Sequence, residues 1–72
     1  MDKRSLSISG HRTSIALEPE FWAALEAMAA EKSQTMAGLI RSIDENRQTA
    51  NLSSAVRLAV LRWYQDRAAS PR

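Results

Sequence analysis

The chain has 72 residues, 44% apolar and 25% charged, with no cysteine, one histidine and a net charge of +2. That length makes one domain at most, and the residue types exclude disulfides, thiolate metal sites and any multi-histidine site within one chain. A single domain this small is marginal without a further source of stability, so self-association is the expected supplement.

The first predicted element is a short strand. In RSLSIS, Leu6 and Ile8 share one face and the serines share the other; in HRTSIAL, Ile15 and Leu17 share a face opposite Arg12, Ser14 and Ala16. Leu6 and Ile8 are even-numbered, whereas Ile15 and Leu17 are odd-numbered. Side chains alternate with period two, so one continuous strand cannot put both pairs on the same face. Gly10 is the place where the phase shifts, through either a bulge or a turn. The half nearer the first helix is the firmer strand.

A first helix is predicted from Pro19, since proline suits a first helical turn. Phe21, Leu25, Met28 and Ala29 form its apolar stripe, with Trp22 beside it. Glu18 and Glu20 sit at the positive end of its dipole and Lys32 near the negative end. Ser33 or Thr35 can cap a second helix, whose apolar positions are Met36, Leu39, Ile40 and Ile43. Gly38 within it suggests close approach by another backbone. DENRQTAN, residues 44–51, has no periodicity and reads as a loop. A third helix follows, capped by Asn51 or Ser53, with Leu52, Val56, Ala59, Val60 and Trp63 on one side and Leu58, Leu61 and Tyr64 elsewhere. A helix apolar around most of its circumference belongs in the middle of something, and one chain has too little material to surround it. AASPR reads as a frayed end, so residues 67–72 are expected to be a tail.

No apolar run approaches the ~18 residues a membrane helix needs. MDKRSLSISGHR lacks the apolar stretch of a secretory signal. The expected location is therefore the cytoplasm. Residues 1–12 carry Lys3, Arg4 and Arg12 against Asp2, the stretch to Glu31 carries only glutamates, and the remainder is basic again. That pattern suggests a polyanion partner on one side. No nucleophile–base pair, glycine-rich phosphate loop or metal cluster stands out, so no enzyme, cofactor or small-molecule substrate is expected.

A lone strand has two unpaired edges and is unstable, whereas two copies could pair as an antiparallel ribbon of a size that fits the major groove of DNA. TSIALEPEFWAALEAMAAEKSQTMAGLIRSID resembles the strand, helix and helix of the ribbon-helix-helix DNA-binding proteins. With GHRTSIALEPEFW before it and NLSSAVRLAVLRWY after it, the chain is similar to a small bacterial subgroup carrying an extra C-terminal helical segment. The resemblance implies a mostly α fold with one short N-terminal β-strand, β-α-α plus a C-terminal helix, spanning residues 1–72 as a single domain. It implies an intertwined homodimer with an intermolecular antiparallel ribbon. It implies a cytoplasmic, non-enzymatic regulator of transcription binding double-stranded DNA in a sequence-specific way. On this likeness the base-facing residues are Arg12, Ser14 and Ala16, with His11 nearby. The phosphate contacts are Thr35 and Met36 at the start of the second helix, with Lys3 and Arg4 in a flexible basic arm over residues 1–4. The family usually has a longer polar side chain where Ala16 stands. Two other readings follow: a protein-interaction module that keeps the fold without DNA readout, and an antitoxin-type DNA-binding protein.

Overall fold

The structure, a computed structural model, describes residues 1–46 and 49–69. Five elements follow in order: β1 (Asp2–Ile8), β2 (His11–Leu17), α1 (Pro19–Glu31), α2 (Met36–Asn46) and α3 (Leu52–Ala69). The expectation of one strand is corrected to two. β1 pairs antiparallel with β2 of the same chain, in a register running from Asp2 opposite Leu17 to Ile8 opposite His11. β1 thus covers one edge of β2, and among the described residues no strand covers the other.

The physical reason lies at the phase shift. Ser9 and Gly10 form the two-residue connection and both have positive φ, 53° and 82°. This is the pattern of a type I′ turn, whose twist matches that of the strands it joins. A Cβ on Gly10 would meet no atom within 4 Å, so its backbone angle, not crowding, is what calls for glycine. A turn reverses the chain, and residues directly opposite in an antiparallel pair share a face. Even-numbered positions of β1 therefore join odd-numbered positions of β2. Leu6 and Ile8 end up on the same side as Ile15 and Leu17, as the apolar pattern demands.

That side rests on the helices. Ile8, Ile15, Leu17, Trp22, Leu25, Met28, Leu39, Ile40, Val56 and Val60 form the buried core, with Leu6, Phe21, Met36, Ile43, Leu52 and Trp63 packed around it. Trp22 is far deeper than a position beside the stripe suggests: it is 1% exposed. Its indole Nε1 donates to the Asp2 carbonyl at 2.8 Å, pinning the open end of the hairpin to α1. A buried indole N–H needs such a partner.

The helix ends follow local rules. α1 starts at Pro19 and closes with Ser33 in the left-handed region (φ 54°). The Gln34 N–H donates to the Ala29 carbonyl and the Ser33 N–H to the Ala30 carbonyl, the paired bonds of a Schellman motif. Thr35, not Ser33, caps α2: its Oγ1 accepts the Gly38 N–H at 3.0 Å. The same hydroxyl is the close neighbour that Gly38 accommodates, since a Cβ there would meet it at 3.1 Å. Among the described residues of this chain, no other backbone comes within 4 Å of that position. Asn51, not Ser53, caps α3, accepting from the Ser54 N–H at 3.1 Å. α2 continues through Asn46, so the loop expected from Asp44 begins later. α3 continues to Ala69; of the tail expected over 67–72, residues 67–69 lie within this helix and 70–72 fall outside the described residues.

Val56 and Val60 of α3 are buried against the core, but Leu58, Leu61 and Tyr64 are 44%, 50% and 48% exposed. The chain covers one side of this helix and leaves an apolar ridge on the other. No helix among the described residues is long and apolar enough to cross a membrane.

Candidate nucleic-acid interface

The outward face of the hairpin is set by its register. Lys3 lies opposite Ala16, Ser5 opposite Ser14, and Ser7 opposite Arg12. All are exposed except Ala16, which is half-buried. The two strands together give this face three hydroxyls, one methyl group and two cations; no carboxylate shares it. Ser5 Oγ and Ser14 Oγ lie 3.1 Å apart in a cross-strand hydrogen bond in which either can donate. The two cations occupy diagonal corners, Lys3 toward the open end and Arg12 toward the turn. At ~3.4 Å per residue the ribbon is roughly 20 Å long, and a two-stranded ribbon is among the few elements the major groove of B-DNA admits.

The structure brings Arg12, Ser14, Ala16 and Lys3 together on this surface. It does not bring Arg4 or His11 there. Both fall on the helix-facing side by register, opposite Ile15 and Ile8 respectively. Arg4 Nη1 donates to Glu26 Oε2 at 3.3 Å, and its guanidinium lies 4.6 Å from the centre of the Trp22 ring. Rather than lying in a free arm, Arg4 covers the outer face of the buried indole and ties β1 to α1. His11 sits beside the turn and is exposed.

A strand pair, then a helix, a capped turn and a second helix make up residues 2–46, and a family model for the ribbon-helix-helix domain matches residues 1–64. The chain belongs to the ribbon-helix-helix domain family. No curated protein and no solved structure matches it. Ribbon-helix-helix domains generally bind DNA as regulators of transcription and are not enzymes.

Within this ribbon-helix-helix domain, Thr35 and Met36 stand at the start of α2. The first α-helical bond there runs from the Leu39 N–H to the Thr35 carbonyl at 2.9 Å. Of the amides ahead of it, that of Gly38 is taken by Thr35 Oγ1; those of Met36 and Ala37 have no α-helical acceptor and lie at the end of the axis where the dipole favours an anion. The first turn of α2 contains no acid. Met36 is half-buried and packs on the core, so any contact it makes with a phosphate is through its backbone.

Reading the sequence alone missed the charged residues that fix the site in place. Arg57 of α3 grips Glu18 with both arms, Nε to Oε1 at 3.0 Å and Nη2 to Oε2 at 3.3 Å. Glu18 is the residue that joins β2 to α1, so this pair locks the exit of the ribbon onto α3. The Arg57 bonds hold the Glu18 carboxyl below its ordinary value. Arg67 likewise reaches Glu31 Oε2 at 2.6 Å and lies 4.7 Å from the centre of the Trp63 ring. These pairs join residues 39 and 36 positions apart. No periodicity within one helix signals such contacts; the acidic run from Glu18 to Glu31 and the basic third helix were the only trace. Among the described residues, no three metal-ligating side chains of the His, Cys, Asp and Glu types stand together.

Proposed function

We infer that this protein is a homodimeric, sequence-specific DNA-binding regulator of transcription that places a two-stranded ribbon in the major groove. The observation that carries the reading is the outward face of the hairpin: polar, free of acid, and bearing Arg12 and Ser14 on a surface narrow enough for the groove. Arg12 can reach both acceptors on the guanine edge, Ser14 can donate or accept, and Ala16 can touch a thymine methyl. Lys3 and the start of α2, at Thr35 and Met36, supply phosphate contacts that fix register without reading sequence. The exposed ridge Leu58, Leu61 and Tyr64 supports the dimer, because a second copy would remove it from water. Two-fold symmetry then calls for a near-palindromic site.

The test is binding to duplex DNA, including the DNA upstream of its own reading frame, at a series of salt concentrations. The expected result is tight binding at low salt that falls along a straight line in log affinity against log salt. Arg12→Ala should relax preference at one guanine by about 1–3 kcal/mol. Absence of binding at low salt would overturn the reading. The same α3 ridge favours a second reading, a protein-interaction module of the same fold. That reading predicts a chain indifferent to DNA that buries the α3 ridge against a different protein.

A further inference from the structure

β1 covers one edge of β2 and leaves the other without a strand among the described residues. α2 packs against β1 and α3 against β2, so the uncovered β2 edge lies on the flank of α3 that faces away from α2. Leu61 and Tyr64 line an apolar cleft with Phe21 and Ala24 on that same flank. A second copy that pairs its β2 with this one therefore meets the apolar ridge as well, and the two β1 strands become the outer strands of four. We propose that β1 then lies over the phosphate backbone beside the groove, and that its Ser5 fixes which bases Ser14 can read. The inference rests on the DNA-binding homodimer inferred above and adds Ser5 and Ser7 to it.

Strand spacing sets the position of β1. Neighbouring strands lie ~4.8 Å apart, so the outer two of four are roughly 14 Å apart. The major groove of B-DNA is about 12 Å wide. The two β2 strands fit side by side between its walls, and the two β1 strands do not. The outward row of β1 is Lys3, Ser5 and Ser7, all exposed. A cation and two hydroxyls are side chains of the kind that contact phosphate oxygens.

Ser5 also touches Ser14: their oxygens lie 3.1 Å apart, and either can donate. A phosphate oxygen of DNA only accepts. Ser5 must therefore give its proton to the phosphate and receive that of Ser14 on a lone pair. Ser14 is left with lone pairs alone for the base edge. In the major groove the N6 amino group of adenine and the N4 amino group of cytosine donate, whereas guanine N7 and O6 and thymine O4 accept. Serine by itself serves either kind of base; held in this direction by Ser5, it selects adenine or cytosine. Lys3, Ser5, Ser7 and Ser14 are all exposed, so substituting them removes no core contact.

Selection of sites from random duplex DNA, with salt titrations of affinity, tests this on the full chain as wild type and as Lys3→Ala, Ser5→Ala, Ser5→Thr, Ser7→Ala and Ser14→Ala. Thermal melts of each variant check that the hairpin persists. The base position that Ser14→Ala flattens should in wild type favour adenine or cytosine roughly fivefold, the worth of one hydrogen bond. Ser5→Ala should relax that position toward all four bases, because Ser14 regains its proton to donate; Ser5→Thr, which keeps the hydroxyl, should not. Lys3→Ala and Ser7→Ala should weaken every sequence alike and leave the motif unchanged. Lys3→Ala should also lower the slope of log affinity against log salt by about 2, one phosphate for each chain of the dimer. The proposal is overturned if Lys3→Ala or Ser7→Ala alters preference at a base position, which would put β1 inside the groove. It is overturned equally if neither changes affinity, which would put β1 clear of the DNA, or if the Ser14 position favours guanine or thymine or is indifferent to Ser5→Ala. Failure of wild type to enrich any motif at low salt is a different result, and sinks the DNA-binding reading itself.

Discussion

The hairpin and α3 are both two-sided, and their outer sides are chemically opposite. The inner side of the hairpin buries Ile8, Ile15 and Leu17, and the inner side of α3 buries Val56 and Val60. Outward, the hairpin shows serines, a lysine and an arginine, whereas α3 shows Leu58, Leu61 and Tyr64. Serine and arginine lose little by staying in water and suit a hydrogen-bonding, charged partner. Leucines left half in water gain by meeting another apolar surface. One small core thus anchors two surfaces whose chemistry suits different kinds of partner.

Substitutions can break this contrast in graded steps. The largest effect should come from the shared core. Trp22→Ala removes a buried ring and its bond to Asp2, and should cost about 3–5 kcal/mol, enough to unfold a domain of this size in a denaturant titration. Next comes the turn that sorts the faces. Gly10→Ala forces a side chain onto a φ of 82° and should lower stability by roughly 1–2 kcal/mol, read in the same titration. A smaller effect of opposite sign is expected at Ser33, which occupies the left-handed position closing α1. Ser33→Gly should raise the melting temperature, with a gain of about 1 kcal/mol.

At the α3 ridge, Leu61→Ser should change the stability of the isolated chain by no more than about 0.5 kcal/mol. The same change should shift the self-association equilibrium in analytical ultracentrifugation toward the single chain. A large loss of folding stability without any effect on association would show that the ridge belongs to the core after all. The smallest effect is at the ribbon exit. The carboxyl of Glu18 is held below its ordinary value of 4.5 by Arg57, so the unfolded chain binds the proton more readily than the folded one. Stability from this pair is fully present above the unfolded value and is lost as pH falls through the folded one. Glu18→Gln should flatten that part of the acid limb in pH-dependent melts.

The contrast also shows which features were legible in the residues. The helices were, because Leu25, Met28, Leu39, Ile40, Val56 and Val60 repeat at helical spacing and burial followed that spacing. The outward row Arg12, Ser14 and Ala16 was legible from alternation alone. The second strand was not, although its signal was present. The parity clash between Leu6 and Ile15 demanded a phase shift, and a bulge and a turn satisfy alternation equally. Only the positive φ at Ser9, an unusual residue for that position, distinguishes them. Lys3 and Arg4 are adjacent in sequence yet part company in space, and a reading that treats them as an arm cannot see that β-pairing sends them to opposite faces. The long-range ion pairs of Arg57 and Arg67 depend on how whole helices dock.

The ladder between the strands is made by the backbone, and five of the six residues in the outer row of the hairpin are exposed. Those five positions can therefore drift with little effect on how the chain folds. If that row faces the DNA, as proposed, descendants of such a molecule are free to trade one target for another by exchanging a handful of surface groups. The interior would then record ancestry, and the exposed row whatever the lineage last had to recognise.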